Sequence, residues 1–128
     1  MGTISFQNIH KQFGTKIVLR GVDLDVASGS VFFIIGQSGA GKSVLVKHLI
    51  GLLRPDKGRI YLDGTDITDY TESQFFPIRK QCAMVFQNST LFDSMTLLEN
   101  VLLPIRKHLH ELSLDQAYQK AKEKLSLM

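Results

Sequence analysis

Between Ile35 and Val44 the chain runs Gly36-Gln37-Ser38-Gly39-Ala40-Gly41-Lys42-Ser43, a spacing suited to holding a polyphosphate. It fits the pattern G-x-x-x-x-G-K-[ST], and each fixed residue has a chemical reason. Gly36, Gly39 and Gly41 reach backbone conformations closed to residues with a Cβ, so several N–H groups can converge on one anion. A helix starting near Lys42 adds unpaired N-terminal donors and the positive end of its dipole. Lys42 supplies a cation toward the β- and γ-phosphates, and the Ser43 hydroxyl is suited to ligating Mg²⁺. The plainer alternative is a glycine-rich turn with an incidental lysine. The order of apolar run, glycine turn and helix argues against it.

The elements around this loop follow from local pattern. Residues 3–10 and 17–26 read as strands, joined by a turn at Phe13-Gly14-Thr15-Lys16. Val31-Phe32-Phe33-Ile34-Ile35 is apolar on both faces, as is Cys82-Ala83-Met84-Val85-Phe86. Both runs are expected as buried strands of a parallel sheet, the second ending at Gln87. A buried helix is expected from about Lys42 to Leu53, stopped by Arg54-Pro55-Asp56-Lys57-Gly58. A short strand at Arg59-Ile60-Tyr61-Leu62 leads into a hairpin-type turn at Asp63-Gly64. Residues 72–80 are expected as a short helix interrupted at Pro77. Thr96 to about Lys107 is expected as a helix kinked or split at Pro104. A capping box from Ser113 to Gln116 opens the last helix, with Leu114, Ala117, Tyr118, Ala121 and Leu125 on one face. Strands separated by helical crossovers point to an α/β class.

Composition sets bounds. At 128 residues the chain is one domain at most, and its 44% hydrophobic and 21% charged residues are ordinary for a globular protein. A net charge of +3, with scattered basic residues, suits a nucleotide ligand or a nearby anionic bilayer and is too small to decide between them. Arg106-Lys107-His108 reads as a solvated helix end, and His108 with His110 as solvated side chains rather than metal ligands. Cys82 is the single cysteine, so no internal disulfide forms and a reducing cytosol is expected. No apolar stretch approaches the roughly twenty residues of a membrane helix, so a membrane role would be peripheral.

A P-loop by itself does not name a function. Four stretches in order, spanning almost the whole chain, resemble the first half of an ABC-transporter ATPase subunit. The first is Ile9-His10-Lys11-Gln12-Phe13-Gly14 with Val18-Leu19 and Val22-Asp23-Leu24. The resemblance implies that Phe13 stacks on adenine, with Val18 packing beside it; the blander alternative is that Phe13 fills core under a turn. The second is the P-loop continued by Leu49-Ile50-Gly51-Leu52-Leu53-Arg54-Pro55-Asp56-Lys57-Gly58, and the third is Gly58-Arg59-Ile60 with Asp63-Gly64-Thr65-Asp66-Ile67. The fourth is Met84-Val85-Phe86-Gln87-Asn88 through Val101. It resembles the Q-loop, which implies that Gln87 reaches Mg²⁺ and the attacking water.

The resemblance implies a P-loop NTPase fold with an N-terminal antiparallel strand subdomain, residues 1–128 being the N-terminal portion of one ATPase domain. Residues 1–87 would form the strand subdomain and P-loop core, and 88–128 the start of a helical subdomain. It implies ATP held by Phe13, Val18, Gly36, Gln37, Ser38, Gly39, Ala40, Gly41, Lys42, Ser43 and Val44, and Mg²⁺ held by Ser43 and Gln87. It implies a transmembrane permease contacting roughly Asn88 to Asn100, a second ATPase subunit as dimer partner, a substrate-binding protein, and no nucleic acid. The expected location is cytoplasmic, peripheral on the inner face of the membrane. A finer resemblance, carried by Gly41 to His48 and Phe86 to Met95, is to ATPases paired with mammalian-cell-entry (Mla-type) proteins, which implies phospholipid transport. Import of an amino acid or another polar solute is the runner-up within the same class. Most ABC ATPases carry threonine where this chain has Val44, which removes a hydrogen bond to the α-phosphate worth about 1 kcal/mol.

The family's Leu-Ser-Gly-Gly-Gln signature, the strand ending in Asp-Glu and the switch histidine do not occur in these residues. The expectation is a piece of a longer ATPase that binds nucleotide weakly and hydrolyses it negligibly by itself. A non-hydrolysing nucleotide-binding module is a second class of reading. A small-molecule kinase is a third, and it leaves Phe13 and residues 84–101 unexplained.

Overall fold

The computed structural model describes residues 2–86, 91–109 and 111–127, so the expectations for Asn88 and His110 lie outside the described residues. The chain forms two compact units, Met1–Ala83 and Met84–Met128.

The first unit is α/β. Strands β1 (Ile4–Phe13) and β2 (Lys16–Val26) form a long hairpin, closed where Gly14 takes φ 58°. β3 (Lys57–Leu62) pairs with the other edge of β1 and turns into β4 (Thr65–Asp66), giving the antiparallel order β2-β1-β3-β4. Asp63 and Gly64 both adopt positive φ, 51° and 76°, the geometry of the tight hairpin turn expected from Asp-Gly. Past β4 the sheet continues through a side chain. The backbone N–H of Ile60 donates to Thr68 Oγ1 at 2.9 Å, and Thr68 Oγ1 donates to Asp66 Oδ1 at 2.6 Å.

Helices α1 (Lys42–Leu49) and α2 (Glu72–Gln81) belong to the same unit as the sheet. The core joins Phe6, Ile9, Leu19, Leu45, Ile60, Ile67 and Phe75, with Val18, Val44 and Leu49 packed at its margin. One face of α1 is therefore buried. Val46 is exposed, which corrects the expectation of a helix buried all round. The helix also stops four residues earlier than expected. Gly51 takes φ +67°, its N–H bonds the His48 carbonyl, and the Leu52 N–H bonds the Lys47 carbonyl. These are the two hydrogen bonds of a glycine-terminated helix end, so Gly51 stops α1 before Pro55 can.

Two apolar runs depart from expectation. Residues 31–35 and 82–86 join no ladder among the described residues, and Ile35 and Val85 are 94% and 95% exposed. Apolar character on both faces shows that a strand needs cover, and a parallel strand is built only when neighbours supply its hydrogen bonds. The sheet that forms is antiparallel throughout. Pro77 does not interrupt α2. The Thr71–Gln74 capping box, the buried Phe75 and Arg79 hold the helix through the one hydrogen bond that proline removes. Cys82, at the end of α2, is half-buried rather than buried, and desolvation pushes its thiol pKa up.

The second unit is a helical pair. Helix α3 (Leu97–His108) begins with a Thr96–Glu99 capping box and runs through Pro104, while α4 (Leu114–Leu125) begins with the Ser113–Gln116 box. Leu102 packs on Ala117 and Ala121, flanked by Leu98, Val101 and Ile105. Of the face expected for α4, the two alanines are buried; Leu114 and Tyr118 are exposed. Asn100 braces the approach to α3. Its Oδ1 accepts from the Phe92 N–H at 2.7 Å, and its Nδ2 reaches the Phe92, Met95 and Thr96 carbonyls.

Candidate phosphate-binding site

The loop from Gly36 to Gly41 turns on two of its three glycines; Gly36, expected to need the same freedom, is not at positive φ and has room for a Cβ. Gly39 and Gly41 sit at φ 78° and 91°, where a Cβ is disfavoured, and the Ala40 N–H closes a turn onto the Gln37 carbonyl at 3.2 Å. Gly41 is the N-cap of α1, and the Leu45 N–H bonds its carbonyl. The Lys42 side chain folds back over the loop. Its Nζ donates to the Gly36 carbonyl and to the Gln37 carbonyl, the latter at 2.7 Å. One ammonium thus spans the mouth of the turn, on residues that are solvent-exposed from Gly36 to Ala40.

The start of α1 differs from every other described helix start. Helices α2, α3 and α4 each carry a capping box and an acidic residue in the first turn, namely Glu72, Glu99 and Asp115. Helix α1 has no capping side chain and no acid in its first turn. Its N-terminal amides keep their positive potential free of a carboxylate, beside an exposed loop and a lysine. A phosphate group fits this donor set; the Ser43 hydroxyl, exposed on the first turn, is placed to take a cation that accompanies it.

β2 fixes where the loop sits. The β1–β2 register runs from Lys11↔Leu19 to Gln12↔Ile17, so Val18 is the extra residue of a β-bulge. The bulge brings two consecutive side chains to one glycine. A Cβ on Gly41 would lie 2.9 Å from Leu19 Cδ2 and 3.0 Å from Val18 Cγ1. Alternation along β2 gives no hint of this, because a bulge breaks the period on which such reading depends. Phe13 ends β1 as a residue 45% exposed, and Lys11 Nζ lies 5.5 Å from its ring centroid. The ring is available to a planar partner instead of being consumed as core.

Gln37, Ser38, Ala40 and Val44 lie in the loop and the first turn of α1, as expected, and Val44 is half-buried against the core. Gln87 lies outside the described residues. Sequence reading missed His48. It is 1% exposed on α1, and Nδ1 lies 2.6 Å from the Val44 carbonyl oxygen. Burial holds its pKa below the ordinary histidine value, outweighing the favourable Val44 carbonyl contact.

Comparison with known proteins agrees with this geometry. Residues 19–128 match the family described as ABC transporter. The chain is 42% identical over 105 residues to the probable ribonucleotide transport ATP-binding protein mkl of Mycobacterium leprae, covering 82% of this chain and 30% of that protein. It is 38% identical over 125 residues to the methionine import ATP-binding protein MetN of Rhizobium johnstonii, covering 98% of this chain and 34% of that one. The chain therefore spans about a third of the length of these curated relatives. Among solved structures, it resembles the ATP-binding cassette MJ0796 in its dimeric, ADP- and Pi-bound post-hydrolysis state. The TM-score is 0.81 at 31% identity, over 96% of this chain and 56% of that one. It also resembles a bacterial Atm1-family ABC exporter with ATP bound, at a TM-score of 0.69 and 33% identity, over 79% of this chain and 17% of that one. With the family model matched over residues 19–128, the chain belongs to the ABC transporter family.

Proposed function

We propose that this chain supplies the Mg-ATP-binding face of an ABC transporter's ATPase subunit. The observation that carries the reading is the combination of an acid-free, uncapped start to α1 with Lys42 folded across the preceding loop. Backbone N–H groups from Gly36 to Val44 hold the phosphates, Lys42 exchanges its loop carbonyls for phosphate oxygens, and Ser43 ligates Mg²⁺. Phe13 stacks on the adenine with Val18 at its edge, and Gln87 serves the metal and the attacking water. The residues from 88 to 100 face a membrane subunit, the ATPase works as a pair of copies, and a substrate-binding protein delivers cargo. The protein works at the cytoplasmic face of the membrane; no described helix is long and apolar enough to cross it.

For the cargo we favour phospholipid, on the likeness of Gly41–His48 and Phe86–Met95 to Mla-type ATPases. Amino-acid import is the second reading, favoured by the MetN match across 98% of the chain. Photolabelling with 8-azido-ATP tests the nucleotide site. Label on the peptide holding Phe13 to Val18, displaced by Mg-ATP, is the expected result, and label confined to the Met84–Met128 unit contradicts it. Loss of the protein from its source cell then separates the cargoes. A changed phospholipid distribution supports the first reading, and lost amino-acid uptake with unchanged lipids supports the second.

A further inference from the structure

His48 is a buried titratable group for which the nucleotide site, as described, has no use. It lies two turns along the helix that leaves the P-loop, four residues after Val44. The Val44 carbonyl can only accept, so Nδ1 at 2.6 Å carries the proton. In the neutral ring Nε2 is then a bare acceptor. It is fully buried, and no donor reaches it among the described residues. Protonation would place a cation in the core behind the phosphate-binding loop.

The groups that face the ring pull in both directions. The Lys11 ammonium on β1 disfavours a second cation, while the Asp56 carboxylate and the Arg54 carbonyl, both between α1 and β3, favour it. Asp56 is already engaged, with Lys11 Nζ and the Gln12 N–H both at 2.7 Å. On α2, Arg79 is held by Glu72 and by the Ile50 carbonyl. Burial is the largest influence on the ring and keeps it neutral.

We infer that His48 is a positioning residue for the P-loop: the neutral ring, buried with Nε2 bare, packs the inner face of α1 into the core, and a proton on Nε2 sets an unpaired cation there, so mild acid loosens α1 and the loop it anchors and weakens nucleotide binding. The inference rests on the nucleotide-binding reading above. The sign follows from linkage. A histidine neutral in the fold and free to protonate when unfolded leaves stability intact above its unfolded pKa of 6.5. Stability is withdrawn as pH falls below that value, until the folded ring itself titrates.

The test compares the full chain with H48N and H48L. The asparagine amide can keep a donor near Nδ1 without titrating, and leucine keeps only bulk. Thermal unfolding without nucleotide, and Mg-mant-ADP affinity, are measured at about pH 7.5 and about pH 5.5. In the wild type both readouts fall on acidification, the affinity by about tenfold. In H48N the affinity changes by less than about twofold and matches wild type at the higher pH. H48L binds more weakly at both pH values. Equal acid sensitivity in H48N and wild type, or an H48L affinity equal to wild type, would overturn the inference. Should H48N fail to fold, NMR titration of the wild-type ring is set beside Mg-mant-ADP affinity over the same pH range: affinity that falls as the ring protonates supports the inference, and affinity that stays flat through the ring's titration overturns it. If neither protein binds nucleotide while H48N removes the acid sensitivity of unfolding, the nucleotide reading fails and the seating role stands.

Discussion

Gly41 lies directly against Val18, with so little room that a Cβ on the glycine would come within 3.0 Å of Val18 Cγ1. The contact joins the bulge in β2 to the first residue of the α1 cap, so the hairpin that carries Phe13 also fixes the P-loop. Gly41→Ala therefore meets both a steric wall and a disfavoured φ of +91°. We expect a loss of about 2 kcal/mol in stability and at least about tenfold in Mg-ATP affinity. Chemical denaturation and titration calorimetry measure the two. A variant as stable as wild type would mean that the bulge does not press on the loop.

Val44→Thr restores a hydroxyl on the first turn of α1. Mg-ATP affinity is expected to rise by about fivefold, near 1 kcal/mol. Val44 also packs at the core margin, so unfolding free energy is expected to fall by about 1 kcal/mol. Affinity that is unchanged or lower would show that this side chain does not face a phosphate.

Arg79 caps α1 from α2. Its Nε donates to the Ile50 carbonyl at 2.8 Å, and its guanidinium pairs with Glu72 at 2.6 Å. Arg79→Ala leaves the Ile50 and Gly51 carbonyls without this donor and is expected to cost about 2 kcal/mol in denaturant unfolding. Arg79→Lys is expected to recover only part of this, because an ammonium lacks the planar fork. Full recovery by lysine would reduce the role to simple charge.

In the helical unit Ala121 is fully buried beside Leu102. Ala121→Leu adds three carbons where α3 and α4 meet and is expected to cost about 2 kcal/mol. Amide exchange in residues 97–125 should quicken, while β1 and β2 stay protected. Unchanged exchange in α3 and α4 would contradict the packing described.

Much of this fold is legible because local chemistry decides it. Gly14 and Asp63-Gly64 announce their turns, and Ser113 with Gln116 announces α4. The Thr71–Gln74 and Thr96–Glu99 boxes have the same spacing and could have been read with equal ease. What local pattern cannot supply is the partner. Val31–Ile35 is apolar enough for a buried strand, yet whether it pairs depends on residues distant in sequence. The bulge at Val18, the early stop at Gly51 and the burial of His48 are likewise tertiary outcomes. Of the candidate site, the turn at Gly39 and Gly41 and the helix that starts at Lys42 were legible from spacing, because a glycine turn leading into a helix is set within a few residues. The hydrogen bond from His48 to Val44 was not, since a histidine in a helical pattern reads equally well as exposed.

The most direct test of the central claim is titration calorimetry of Mg-ATP against wild type and Lys42→Ala, with circular dichroism confirming that the variant is folded. If the loop grips a polyphosphate under the Lys42 ammonium, removing that charge should weaken binding by at least about tenfold. Equal affinity in a folded Lys42→Ala variant would contradict the account.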